Sequence, residues 1–142
     1  MNIESNQNFK KFGNGNASYI AAGELKGITK LVDCFYDIMD QLPEAKIIRA
    51  MHPIDLTISK DKLSCFLSGW LGGPRLYAEK YGSISIPKIH QHLAVASQER
   101  DAWLMCMKKA ADEQGYTVEF KRYLLEQLFV PAERVRQISQ RS

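Results

Sequence analysis

The sequence predicts an all-α fold. Apolar residues recur at helical spacing in about five stretches, glycine or proline stands where most of those stretches end, and no run alternates apolar with polar at the two-residue period of a strand. No internal repeat or low-complexity tract interrupts this pattern.

Residues 1–15 are polar and asparagine-rich and read as an N-terminal extension to a single domain over 16–142. A short helix is expected over Ala17–Ala22, stopped by Gly23. From Glu24 to Leu42, the residues Ile28, Leu31, Val32, Phe35, Met39 and Leu42 fall at i, i+3, i+4, i+7 steps, the stripe of an amphipathic helix. Gly27 weakens its first turn. Tyr36 falls at the edge of the stripe, where its hydroxyl needs a partner if buried. Pro43 suits the first turn of a helix running to Met51, and Pro53 pushes His52 toward extended geometry and ends it.

Asp55 or Thr57 is expected to cap the next helix, which reaches about Leu71 with Leu63, Phe66, Leu67 and Trp70 on one face. Ser59 lies one turn before Leu63 on that face. Gly72-Gly73-Pro74 ends the helix, and residues 74–86 read as a loop with one helical turn at Leu76–Glu79. Pro87–Val95 is a short apolar segment that carries His90 and His92. Ser97 is expected to cap a helix to about Gln114, with Glu99 and Asp101 favourable in its first turn and Gly115 at its end. The last helix, Thr117–Gln140, carries Leu124, Leu128, Val135 and Ile138 on one face, and Pro131 inside it is expected to kink or break it.

Bulk properties narrow the classes of function. A chain of 142 residues, 45% hydrophobic and 25% charged, suits one globular domain with a sizeable core. The net charge of +3 is mild and dispersed, which argues against a nucleic-acid partner. Arg134, Arg136 and Arg141 read as a solvated helix face. No apolar run approaches the roughly 18 residues needed to span a membrane, and the polar N-terminus lacks the apolar core of a secretory signal. Cys34, Cys65 and Cys106 are an odd set without close pairing, expected as free thiols in a cytoplasmic protein, each buried as a small hydrophobe.

The chain carries no phosphate-binding loop, dinucleotide loop, paired-cysteine motif or zinc-protease motif. His90 and His92, two residues apart, point to different sides of a helix, so at most one faces the core. Taken singly, His90 fits a core histidine satisfied by a backbone carbonyl, Trp103 a core filler and Tyr36 a rim tyrosine. Taken together they permit a site. One histidine can bind iron from one side, and Tyr36, Trp103 and Ser59 supply polar hydrogens toward the other. Phe35, Leu63, Phe66 and Ile86 can wall a flat macrocycle.

These residues sit in an ordered series of motifs: FYDIM (35–39), MHPIDL (51–56), FLSGWLGGPRLYAEKYG (66–82), KIH (88–90) and ERDAWLMCM (99–107). The series resembles the truncated (2/2) haemoglobins, specifically group II, over about residues 19–130, with Trp103 the discriminating residue. The resemblance implies a truncated globin fold, a 2-on-2 helical sandwich around haem b. It implies His90 as the iron ligand on a very short helix, with Trp103 and Tyr36 donating hydrogen bonds to a bound ligand. Phe35 is then a haem contact, and His52 holds a loop position where relatives often carry Tyr or Phe, within reach of the same ligand. Ser59 and Leu63 match helix positions facing the iron. By charge and location, Arg75, Tyr77 and Lys88 are expected at the haem propionates. The family typically has arginine directly before the proximal histidine; Ile89 stands there in this chain, leaving Lys88 or His92 as substitutes.

The implied function is reversible binding of O2, CO or NO at a five-coordinate ferrous iron. Donors that slow ligand release suit redox chemistry or sensing of oxygen, NO or peroxide better than transport. The alternatives are a haem enzyme, either an NO dioxygenase or a peroxidase-like protein fed by a separate reductase, and a haem-free helical interaction module. A monomer or homodimer is expected.

Overall fold

The computed structural model describes residues 12–83 and 93–141, with side chains through Ser139. In order come α1 (Ala17–Ala21), α2 (Glu24–Gln41), a 3₁₀ turn (Pro43–Ala45), α3 (Lys46–Ala50), α4 (Thr57–Trp70), α5 (Leu76–Tyr81), α6 (Ser97–Asp112) and α7 (Val118–Arg141). No strand occurs among the described residues. The helices pair as α2 with α4 and α6 with α7, and the pairs meet where α2 packs on α6. This is the expected 2-on-2 helical sandwich.

The stripe on α2 accounts for the centre of that packing. Ile28, Leu31, Val32 and Phe35 are fully buried and Met39 nearly so, each buried side chain contributing about 1.5–3 kcal/mol. Leu67 of α4, Cys106, Met107, Ala110 and Ala111 of α6, and Phe120, Leu124 and Leu128 of α7 close the same core. The small residues of α6 let its backbone approach α2 closely.

Several local expectations need correction. The helix expected over Pro43–Met51 divides into the 3₁₀ turn and the short α3. Ser97 is the first residue of α6 rather than its cap: Ala96 holds that place, and Glu99 reaches back to accept from the Ala96 N–H at 2.8 Å. Neither Asp55 nor Thr57 holds the cap place of α4: Leu56 does, Thr57 is the first helical residue, and Asp55 just before accepts from the Thr57 N–H at 2.9 Å and from the Thr57 hydroxyl at 2.7 Å. The turn near Leu76 extends to a six-residue helix. Helix α7 runs through Pro131 without a break. The carbonyl that loses its donor there belongs to Gln127, which is exposed, so no polar group is stranded in the core. Cys65 and Cys106 are buried as expected, whereas Cys34 is half-buried and donates to Glu113 Oε2 at 2.7 Å. Burial and that contact push its thiol up to about 12. Arg136 is held by Glu133 rather than solvated alone.

The glycine pair after α4 has a packing reason. Gly72 lies at φ 92°, and a Cβ there would meet the Gly15 carbonyl oxygen at 2.0 Å. A Cβ on Gly73 would meet the Tyr19 ring at 2.3 Å. The segment before α2 thus seats directly on this turn, and Phe12 adds an edge contact with Phe120 at 5.4 Å between ring centroids. No helix among the described residues is long and apolar enough to cross a membrane.

Candidate functional site

Four aromatic side chains from three elements form a continuous line. Trp103 of α6 meets Phe35 of α2 edge-on, with ring centroids 5.2 Å apart and planes at 63°. Phe35 meets its neighbour Tyr36 at 4.9 Å and 78°. Tyr36 meets His52, just beyond α3, at 5.6 Å and 77°. Edge-to-face contacts of this kind fix ring orientation as well as filling space. Adjacent residues on a helix point about 100° apart, so Phe35 can face the core while Tyr36 faces the volume beside it.

The polar atoms on this line are notable for what they lack. The Tyr36 hydroxyl, the Trp103 indole N–H and the Ser59 hydroxyl have no hydrogen-bond partner among the described residues. Among the described residues, every side-chain nitrogen or oxygen sealed from solvent does have one. The Tyr36 hydroxyl therefore opens onto accessible space even though the residue is only 4% exposed. Burial pushes this hydroxyl up to about 12, against an opposing pull from the Arg49 charge, so it is protonated and a donor at neutral pH. The His52 ring is oriented by Nδ1, 2.8 Å from the Ile48 carbonyl oxygen. A carbonyl can only accept, so Nδ1 carries the proton in the neutral ring and Nε2 is its acceptor.

Helix α4 supplies the apolar side. Leu63, Phe66 and Trp70 are half-buried and pack against the core that holds Phe35 and Tyr36. Phe66 and Trp70 stack at 6.0 Å and 29°. Ser59 is half-buried one turn before Leu63. Arg75 and Tyr77 stand apart, at the start of α5, with no described contact to Tyr36 or Trp103. Arg75 is exposed and has no ion-pair partner among the described residues. Tyr77 is half-buried and packs on Tyr81 at 5.0 Å, and Tyr81 in turn donates to Asp61 of α4. His90, the expected iron ligand, lies outside the described residues, as do Ile86, Lys88, Ile89 and His92.

Sequence reasoning missed Arg49. Its guanidinium is bonded to Asp40 of α2 and donates to the carbonyls of Pro53 at 3.0 Å and Ile54 at 3.1 Å. Two of its partners are backbone atoms, which no motif or periodicity marks.

A family model for bacterial-like globins matches residues 18–136. The group 2 truncated hemoglobin YjbI of Bacillus subtilis (strain 168) is 36% identical over 117 residues, covering 82% of this chain and 86% of that protein. Among solved structures, the group II 2-on-2 hemoglobin from the plant pathogen Agrobacterium tumefaciens superposes with a TM-score of 0.80 at 34% identity, covering 84% of this chain and 92% of that one. A truncated oxygen-avid haemoglobin from Bacillus subtilis gives a TM-score of 0.76 at 32% identity, over 83% of this chain and 97% of that one.

Proposed function

Because this chain belongs to the bacterial-like globins, and among them to the group II truncated haemoglobins, it is a haem-binding globin, and we propose that it holds haem b on His90 and takes O2, CO or NO into the cavity beside Tyr36. The observation that carries this reading is the Tyr36 hydroxyl: buried, protonated, unpartnered within the described protein, and opening onto space. A donor with no described partner, fixed within a line of aromatic rings, is suited to a ligand that arrives from outside.

The described residues fit haem. Leu63, Phe66 and Trp70 offer half-buried apolar surface for a flat macrocycle, and Arg75 offers an uncommitted cation for a propionate. Bound haem supplies a ferrous iron able to take a diatomic ligand. The protein supplies the surroundings of that ligand. Tyr36 and Trp103 donate hydrogen bonds to it, Phe35 holds both rings at their angles, and Ser59 leaves the α4 side open with a small side chain. His52 borders Tyr36 with its ring oriented by the Ile48 carbonyl.

A neutral hydrogen bond contributes about 1 kcal/mol net, and one toward charge about 1.5–3 kcal/mol. Since about 1.4 kcal/mol is tenfold in an equilibrium constant, two donors slow the release of a polar ligand by one to a few orders of magnitude. Slow release suits redox chemistry or sensing better than delivery of oxygen, and the likeness to an oxygen-avid haemoglobin points the same way.

The test is the optical spectrum of the purified protein, ferric, then reduced, then with CO. A Soret band that sharpens and shifts with CO, and that is lost in His90→Ala while helicity is kept, supports the reading. A folded, colourless protein that does not take up added haemin refutes it.

A further inference from the structure

His52 sits on the connection between α3 and α4. Residues 51–56 join α3 to α4 without regular structure. Pro53 has no N–H to donate, and Ile54 beside it is 96% exposed. Leu56 packs against the core at the far end of the connection, but Pro53 and Ile54 between are exposed. Those two residues are held by hydrogen bonds from one side chain.

Arg49 stands on α3 with its guanidinium turned into the connection. One edge binds Asp40, near the C-terminal end of α2, the helix that carries Tyr36. The other donates to two successive carbonyls, Pro53 O at 3.0 Å and Ile54 O at 3.1 Å. The Arg49 carbonyl also accepts the His52 N–H at 3.0 Å. His52 is thus held on both sides: its ring nitrogen by the Ile48 carbonyl, and the chain after it by Arg49. A planar fork with several donors can make this set of bonds at once, whereas a lysine ammonium on a flexible stem cannot reproduce the fork.

We propose that Arg49 is a positioning residue for the ligand cavity: by tying the Pro53–Ile54 carbonyls to Asp40 of α2 it sets the His52 ring against Tyr36, and so sets the polarity that a bound ligand meets. This rests on the functional reading above, in which Tyr36 and His52 border the ligand. It assigns a role to a residue that need not touch the ligand.

The experiment uses the CO adduct of the haem-loaded full chain, read by the C–O stretching band and the CO dissociation rate. The variants are Arg49→Ala, Arg49→Lys, Asp40→Asn, His52→Phe and the Arg49→Ala/His52→Phe pair. The expected result is a shifted or split band and a several-fold change in dissociation for Arg49→Ala. Arg49→Lys should resemble it despite keeping the charge, and Asp40→Asn should give a smaller effect in the same direction. In the His52→Phe background the Arg49 effect should vanish, because the polar ring whose placement sets the polarity is replaced by an apolar one. An Arg49→Ala protein with lower melting temperature but the wild-type band and rate overturns the proposal, since Arg49 is then structural only. An Arg49 effect that persists undiminished without His52 also overturns it. If Arg49→Ala does not fold, Asp40→Asn and Arg49→Lys are judged by the same criteria. If the wild-type chain takes up no haem, the functional reading fails by itself. The placement of His52 is then read in the haem-free chain from the ring-proton NMR shifts that Tyr36 imposes. Arg49→Ala should move them toward unstructured values, and unmoved shifts overturn the assignment.

Discussion

The Phe35 and Trp103 rings meet edge-to-face, with centroids 5.2 Å apart at 63°, and join the two halves of the helical sandwich. Phe35 is fully buried and Trp103 is half-buried, with an indole N–H that no described residue accepts. Trp103→Phe keeps an aromatic ring against Phe35 and removes that donor along with part of the indole's volume. The expected outcome is a folded holoprotein that releases O2 about tenfold faster, the effect of roughly 1.4 kcal/mol. Stopped-flow O2 dissociation measures it, and an unchanged rate removes Trp103 from the donor set.

Tyr36→Phe separates ligand binding from stability. The hydroxyl it deletes bonds to no described residue, so no hydrogen bond among the described residues is lost. Denaturant unfolding of the haem-free chain should change by less than about 1 kcal/mol, while O2 release from the holoprotein accelerates. A large loss of stability would show that the hydroxyl is satisfied within the protein, contrary to its proposed role.

Gly72→Ala should destabilise the chain by about 2 kcal/mol or more, because a positive φ and a backbone clash act together. The φ is 92°, and the obstruction is the Gly15 carbonyl oxygen at 2.0 Å, a backbone atom that cannot swing aside. Urea titration checks this. Deleting residues 1–15 should relieve part of the penalty by removing the obstructing carbonyl.

Glu133 gives the C-terminal helix an acid-sensitive anchor. Bonds from Arg136 first, then Arg100 of α6, lower its carboxyl from 4.5 to about 2. A carboxylate with a lowered folded-state value contributes stability that is complete above its ordinary titration range and is lost as pH falls through the folded value. The Glu133 contribution should therefore disappear between about pH 4.5 and pH 2. In Glu133→Gln, the melting temperature should vary less with pH across that window.

Much of the α2 stripe was legible, because one buried face of a long helix imposes a 3.6-residue period on its residues. Ile28, Leu31, Val32, Phe35 and Met39 are buried where that period places them. Short elements were less legible. Divided Pro43–Ala50 and the extended α5 depend on contacts with other helices, and α7 passes Pro131 because the freed carbonyl falls on an exposed stretch. Periodicity carries no information about which carbonyl faces solvent.

The sequence by itself determined the helical class, the family, and the residue types able to serve a haem site: an imidazole, an indole, a phenol and apolar walls. Those are properties of side-chain chemistry and of spacing along one chain. Only the tertiary structure decided that Trp103, Phe35, Tyr36 and His52 form one line of rings, that the Tyr36 hydroxyl is left without a described partner, and that Arg49 fastens the His52 connection. These depend on side chains meeting across α2, α6 and the α3–α4 connection, and on bonds to backbone carbonyls. Every residue carries a backbone carbonyl, so sequence cannot say which ones a guanidinium will find; packing of the helices makes that choice.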